Sequence, residues 1–277
     1  MNVLSLFDGI SCGQIALNRA GIKYDNYFAS EIDKHAIKVT QHNYPNTIQL
    51  GDVTQIKASD LPKIDLLIGG SPCQGFSFIG KGLNFEDERS KLFFEFVRLL
   101  KATSPTYFLL ENVKMKKEHQ SIITEYLSVS PIELNSSLFS AQNRKRLYWT
   151  NIPMDLQIAD KGIYLKDVID HSIQEYHEPK NWRIRVPDSL PMYCDPYNRK
   201  EIKNGKSTTL RTNVYNGNMW VKTEKSYRNL TRKECEKLQN VPEFYTSVIS
   251  ENQAKKCLGN GWTVDVIAHI FKGMKIS

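Results

Sequence analysis

The chain has 277 residues, 40% of them apolar and 24% charged, with 15 Gly, 11 Pro and no low-complexity tract. That composition excludes wholesale disorder, collagen-like and fibrous architectures, and leaves one large α/β domain with a smaller module, or two modest domains. The formal charge is +7 and unevenly placed, since Asn198 to Arg228 alone holds eight Lys/Arg against two Glu.

The longest apolar runs, such as Leu66-Leu67-Ile68, fall far short of the roughly 20 residues a membrane span requires. No charged segment precedes an apolar one at Met1, so neither membrane insertion nor export by a visible signal is expected. Five cysteines without a C-x-x-C pair indicate neither a disulfide framework nor a zinc site, and point to a reducing, cytoplasmic setting.

From Met1 to about Asn151, short apolar runs alternate with amphipathic stretches, the pattern of a parallel sheet covered by helices. The expected strands are Val3 to Phe7, Tyr27 to Ser30, Thr47 to Leu50, Ile64 to Ile68, Tyr107 to Leu110, Ile132 to Leu138 and Leu147 to Thr150. After the first, Ser11-Cys12-Gly13-Gln14 has the form of a capping box, with Gly21 as the stop of its helix. A second helix is expected from near Asp33 to before Pro45. Ser90 is expected to cap a third, whose apolar face carries Leu92, Phe93, Phe96, Leu99 and Leu100.

The alternation fades between about Met154 and Tyr227, where no secondary structure is readable from pattern. Beyond it, Thr231 to Glu234 and Ser250 to Gln253 form two more capping boxes, the second opening a helix that ends at Gly259. A last apolar helix is expected from about Val264 to Phe271. The expected division is therefore 1–153, 154–227 and 228–277, with the last part returning to the first.

Chemistry-bearing residues collect where the strands should end. The turn Phe7 to Gly13 joins a strand to a helix N-terminus with small residues, as a ligand-binding βα turn does. A tight turn that simply needs glycine reads equally well. Glu31 and Asp52 follow the next two strands, where a carboxylate can take a ribose diol or can be a solvated or capping acid. The fourth strand opens into Gly69-Gly70-Ser71-Pro72-Cys73-Gln74-Gly75-Phe76-Ser77, which puts a thiol on a small-residue loop at the same edge. A catalytic thiol there needs a lowered pKa, and a buried structural one does not. Glu111 ends the fifth strand beside it, placed for general acid work on a ring nitrogen. Arg144 and Arg146 precede the last strand of the sheet, either at this edge or in a solvated basic turn.

Taken together and in order, these motifs resemble the DNA cytosine-5 methyltransferases. The likeness rests on Phe7-Asp8-Gly9 to Gly13, Ser30 to Asp33, Gly51-Asp52-Val53, Ser71 to Ser77, Asp87 to Phe93, Glu111-Asn112-Val113, Gln142 to Arg146, Leu230 to Glu243 and Gly259 to Val264. It covers the chain except for about Asp155 to Tyr227, which corresponds to the family's variable target recognition region. The resemblance implies a Rossmann-like sheet that is mostly parallel with one antiparallel strand, S-adenosylmethionine as cofactor, and no metal. It also implies double-stranded DNA as partner, a monomer, and a cognate restriction endonuclease if the enzyme is one half of a restriction-modification pair.

By the same resemblance Cys73 would add to carbon 6 of cytosine, Glu111 would hold or protonate N3, and Arg144 and Arg146 would brace the base, Arg146 more directly. Phe7, Asp8, Gly9, Ile10, Ser11 and Gly13 would cradle the methionine part of the cofactor and Glu31 its ribose. Ile32, Asp52 and Val53 would hold the adenine, while Pro72, Leu92, Asn260 and Trp262 would complete the pocket. The loop Gly80 to Arg89 would cover the site. Gln74, Ser77, Arg89, Arg199, Lys200, Lys203, Lys206, Arg211 and Arg228 would contact the nucleic acid, the basic ones through phosphates. Two other readings stay open, a tRNA cytosine-5 methyltransferase and a DNA-binding homologue without catalysis.

Overall fold

The computed structural model describes residues 1–71, 88–173, 193–195, 200–201, 205–212, 220–222 and 227–275. For residues 88–90, 193–195, 200–201, 220–222 and 227 it describes the backbone alone. The chain forms two compact units. Met1–Leu134, Lys145–Leu156 and Ile267–Ser277 make the first, and Asn135–Arg144 with Gln157–Val266 the second.

The first unit is built on a seven-stranded sheet. Its strands are β1 (Asn2–Leu6), β2 (Asn26–Ser30), β3 (Ile48–Gln49), β4 (Leu66–Gly69), β5 (Tyr107–Val113), β6 (Ile132–Asn135) and β7 (Lys145–Thr150), in the order β3-β2-β1-β4-β5-β7-β6. All seven fall on the expected apolar runs. β1 to β5 pair in parallel and β7 runs antiparallel to β5, so the mostly parallel sheet with an antiparallel strand is observed. The expected run Ile132 to Leu138 is strand only to Asn135; its last three residues turn into a 3-10 helix capped by the Asn135 side chain.

Helix α1 (Cys12–Arg19) follows β1, α2 (Lys34–Asn43) follows β2, and α3 (Glu88–Thr103) and α4 (Lys117–Leu127) flank β5. Asp33 caps α2 as expected, its carboxylate accepting from the His35 amide at 2.9 Å. Ser90 does not stand at the start of α3, which already includes Glu88. Phe93, Phe96 and Leu99 on α3 are fully buried, with Leu4, Leu6, Leu67, Leu110, Ile123 and Trp149 in one core. Each large side chain contributes about 1.5–3 kcal/mol by leaving water. α1 rides close to the sheet at Gly13, where a Cβ would stand 2.6 Å from Ile68 Cδ1 and 2.7 Å from the Tyr27 hydroxyl.

In the second unit β8 (Tyr193–Asp195), β9 (Lys200–Glu201), β10 (Trp220–Lys222) and β11 (Tyr227–Asn229) form an antiparallel sheet in the order β11-β10-β8-β9. Helices α5 (Arg232–Leu238) and α6 (Glu251–Asn260) follow. The Thr231 box closes in both directions, whereas Ser250 begins α6 with no side-chain cap.

α7 (Val264–Phe271) covers the expected last helix. The C-terminal part is shared between the two units. Residues 267–275 join the first unit, where the Lys275 amide donates to the Tyr107 hydroxyl at 3.0 Å. Residues 228–266 stay with the second, tied to the segment Asn135–Arg144 through Ser140 Oγ to the Leu238 carbonyl at 2.6 Å and Ser136 Oγ to Thr263 Oγ1 at 2.9 Å.

Candidate active site

Register places the site. Leu6, Ser30, Gly69 and Leu110 lie in one row across β1, β2, β4 and β5. β1, β2 and β4 end at this level, with Phe7, Glu31 and Gly70 as the next residues, while Glu111 is the next residue of β5, which runs on. Parallel strands aligned at their carboxyl ends are what gather these side chains, and in an open α/β sheet that edge is where ligands bind.

Between β1 and α1, Phe7, Gly9 and Ser11 all take left-handed φ values, 57°, 60° and 57°. Such a conformation costs a non-glycine residue about 1–2 kcal/mol, so neighbours must hold it. The Asp8 amide donates to the Ser30 carbonyl at 3.0 Å, the Gly9 amide to Glu31 Oε2 at 2.8 Å and the Ser11 amide to the Asp8 carbonyl at 3.2 Å. The other Glu31 oxygen accepts from the amides of Ile32 and Asp33, both at 2.8 Å. Glu31 thus staples the end of β2 to the turn. Among the described residues a Cβ on Gly9 would meet nothing within 4 Å, so space is open before the turn. Ile32, next to Glu31 in the chain, is 77% exposed.

The turn departs from expectation in its capping. Ser11 stands at the N-cap, but its hydroxyl donates to the Asp8 carboxylate and makes no cap bond, and Gln14 Nε2 donates to Ser11 Oγ at 3.1 Å while its Oε1 accepts from Tyr24 and not from the Ser11 amide. Asp8 points inward, accepting from the Tyr27 hydroxyl at 2.7 Å. Burial pushes its carboxyl up to about 6, against the hydrogen bonds of Ser11, Ser5 and Tyr27 that pull it down. Ile10, Ser11 and Gly13 are buried behind the turn. Phe7 and Leu92 are half-buried against the core, Val53 lies within it, and Asp52 accepts from the Thr54 amide and hydroxyl at 2.9 Å, capping a short 3-10 turn.

On the antiparallel pair β5 and β7, Glu111 lies opposite Tyr148 and Val113 opposite Arg146. Glu111 and Arg146 are thereby diagonal neighbours on one face, and Arg146 Nε meets Glu111 Oε1 at 2.9 Å with both side chains only about an eighth exposed, 13% and 12%. Asn112, on the alternate face, donates to the carbonyl and hydroxyl of Ser71, both at 3.3 Å. β5 runs on through Val113, so Glu111 sits within the strand and gains its rigidity. Cys73, Pro72, Gln74 and Ser77 lie outside the described residues. Cys12, Cys235 and Cys257 are buried, and burial pushes the Cys235 thiol up to about 12.

Arg144 belongs to the second unit and is 4% exposed. Its Nη1 donates to the Leu210 carbonyl at 3.1 Å and its Nη2 to those of Gly259 and Gly261 at 3.2 and 2.9 Å, which marks it as a clamp on backbone. Asn260 is exposed at the end of α6 and Trp262 is half-buried, both in the second unit.

Two of the cations expected to face nucleic acid are interior. Lys206 Nζ donates to the Ser137 carbonyl at 2.7 Å and pairs with Asp160 at 3.1 Å. Arg228 forks onto both Glu234 oxygens, at 2.8 and 2.7 Å, and reaches the Asp170 carbonyl at 2.9 Å. A basic run read along the chain does not distinguish solvated cations from those whose partners arrive from other segments. Arg211 is exposed; Arg89 and Lys200 are described by backbone alone, and Arg199, Lys203 and most of the expected cover, Gly80 to Arg89, lie outside the described residues.

Comparison with known proteins agrees with this geometry. A family model described as C-5 cytosine-specific DNA methylase matches residues 1–190 and 160–276. The type II methyltransferase M1.ScrFI of Lactococcus lactis subsp. cremoris is 31% identical over 98% of this chain and 77% of its own length. M.Bsp6I of Bacillus sp. (strain RFL6), also a type II methyltransferase, is 31% identical over 98% and 97% respectively. Among solved structures, the S. pombe Dnmt2 methyltransferase shares the fold with a TM-score of 0.74 over 98% of this chain and 97% of that one, at 20% identity.

Proposed function

The chain belongs to the C-5 cytosine-specific DNA methylase family, and on that premise we propose that it moves a methyl group from S-adenosylmethionine to carbon 5 of a cytosine flipped out of duplex DNA, through a covalent adduct on Cys73. The observation that carries the reading is the Glu111–Arg146 pair at 2.9 Å, set one residue beyond the row from which the Phe7–Ser11 turn also leaves the sheet. Ser71, two residues before Cys73 in the sequence, is tied by Asn112 to the strand carrying Glu111.

The turn fits the cofactor. It offers open space before Gly9, an exposed apolar face at Ile32 and a carboxylate at Glu31 already fixed to the backbone. Phe7, Gly9, Glu31, Ile32, Asp52, Val53, Pro72 and Leu92 would hold it, and when bound it supplies the reactive methyl group. Asp8, Ile10, Ser11 and Gly13 would support the turn from behind.

Carbon 5 of cytosine is a weak nucleophile. Addition of the Cys73 thiolate to carbon 6 turns the ring into an enamine with its electron density on carbon 5. Glu111 would hold or protonate N3 as that charge develops, and the Arg146 guanidinium fixes the carboxyl for the task. Once carbon 5 carries the methyl group, loss of its proton and β-elimination would free Cys73. Flipping the base costs a few kcal/mol, which contacts to DNA must offset. Gln74, Ser77, Arg89, Arg199, Lys200, Lys203 and Arg211 are proposed for these, and the interior Lys206 and Arg228 are not. The protein would act in the cytoplasm as a monomer, either paired with a cognate restriction endonuclease or as a solitary modifier.

The test is incubation with labelled S-adenosylmethionine and separate pools of unmethylated DNA and tRNA, followed by digestion to nucleosides. Label is expected in 5-methyldeoxycytidine and absent with Cys73→Ala. Label in RNA alone, or activity surviving that substitution, overturns the proposal.

A further inference from the structure

Behind the turn lies a hydrogen-bonded chain that the proposed chemistry does not use. The Tyr24 hydroxyl donates to Gln14 Oε1 at 2.8 Å, and Gln14 Nε2 donates to Thr47 Oγ1 at 2.9 Å and to Ser11 Oγ at 3.1 Å. Ser11 Oγ donates in turn to Asp8 Oδ2, and the Tyr27 hydroxyl donates to Asp8 Oδ1. From α2, Thr40 Oγ1 reaches both the Gly9 carbonyl and Ser11 Oγ at 3.3 Å. The bonds from Tyr24 through Gln14 and Ser11, and that from Tyr27, lead to the Asp8 carboxylate, while Gln14 also donates to Thr47 and Thr40 to the Gly9 carbonyl. Ser11, Gln14 and Thr40 are buried and Tyr27 is 2% exposed, so water does not replace these partners, while Asp8 itself is half-buried.

That polarity has a chemical consequence. A carboxylate accepts at both oxygens; a carboxylic acid must donate from one. If Asp8 takes a proton, one of its hydroxyl partners, Tyr27, Ser11 or Ser5, must turn from donor to acceptor. Ser11 Oγ already accepts from Gln14 and lies within reach of Thr40, so reversal there displaces a buried partner. The backbone that would shift is the one held at three left-handed φ values between Phe7 and Ser11.

We propose that Tyr27, Ser11 and Gln14 are positioning residues that act through Asp8, holding the Phe7–Ser11 turn in its binding conformation only while Asp8 is ionised, so that cofactor affinity switches with a single proton. This rests on the reading of the turn as the S-adenosylmethionine site. The titratable groups acting on Asp8 are Tyr27 on β2, Tyr24 before it and Glu31 at its end, all of which carry negative charge or none; α2 presents the neutral Thr40. Their sum with burial brings the Asp8 carboxyl to about 6, inside the physiological range. Tyr27 donates to the ionised form and holds that value down, so removing its hydroxyl moves the switch upward in pH.

The experiment is calorimetric titration of the full chain with S-adenosylmethionine between pH 5 and 7, for wild type, Asp8→Asn and Tyr27→Phe. If only the ionised tenth binds at pH 5, affinity falls about tenfold from its neutral value. Asp8→Asn is expected to lose this acid limb. Tyr27→Phe is expected to keep it with the midpoint displaced to higher pH, a response that simple loss of packing would not give. A wild type flat from pH 5 to 7, an Asp8→Asn protein that retains the limb, or a Tyr27→Phe protein with an unmoved midpoint overturns the inference while leaving the cofactor site standing. No binding at pH 7 overturns both.

Discussion

Replacing Arg144 with Met separates a clamp on the backbone from a contact with the base. Met fills part of the buried volume but removes the guanidinium from three carbonyls, those of Leu210, Gly259 and Gly261. Gly261 would still accept from Gln239 Nε2 at 3.2 Å, which leaves two carbonyls without this donor. An orphaned buried acceptor costs about 1–3 kcal/mol, so the substitution should destabilise the second unit by about 4 kcal/mol. Against a native stability of about 5–15 kcal/mol the variant should still fold in the cold. It should melt on the order of 10 °C early, at about 2–4 °C per kcal/mol. Scanning calorimetry reads the loss, and titration with S-adenosylmethionine at low temperature reports whether the first unit still binds. A variant within about 1 kcal/mol of wild type that has nevertheless lost methylation would refute this reasoning, because the guanidinium would then be acting on the substrate.

The buried Arg228–Glu234 pair gives a second expectation. Burial works to raise the Glu234 carboxyl, but Arg228 and the amides of Thr231 and Asp170 outweigh it and hold it below its ordinary value. The stabilisation is therefore complete above the unfolded value of about 4.3 and disappears as pH falls through the lower folded one. Glu234→Gln, which leaves Arg228 buried without its counter-charge, should cost about 3–5 kcal/mol near pH 7, with the gap to wild type closing in acid; a gap that stays constant down to pH 2 would contradict the assignment. A third concerns Gly259, where a Cβ would stand 2.6 Å from both the carbonyl carbon and oxygen of Arg211. Alanine ordinarily favours a helix by about 1 kcal/mol over glycine, so a net loss of about 1–3 kcal/mol in urea unfolding of Gly259→Ala is diagnostic of that approach, and a gain would disprove it.

Seven strands, the Thr231 box and the last helix were legible because each is written locally, as a run of alternating or continuous apolar residues or a hydroxyl three residues before a carboxylate. α4 was not anticipated. Its buried positions, His119, Ile123 and Leu127, give only a thin apolar stripe with a histidine at one end, and its start at Lys116 has no capping side chain. The short strands β8 to β11 are two or three residues long, too few for a period of two to show. The Ser11 and Ser250 boxes had the right letters, yet neither serine makes the cap bond, since Asp8 claims the first hydroxyl.

The same division runs through the site. Sequence by itself determined which residues stand at the ends of the strands, and so the family and the edge where chemistry is expected, because motif order and strand pattern are properties of the chain read in one direction. Only the tertiary structure decided which of those groups reach outward. Asp8 turns in to Tyr27 from β2, Lys206 is held by Ser137 and Asp160, Arg228 by Glu234, and Arg144 by carbonyls up to 117 residues away, whereas Glu111 and Arg146 meet across an antiparallel pair at the open edge. A charge declares its presence in the sequence, but its partner is set by distances across the fold, and burial without a partner is too costly to leave that choice to chance.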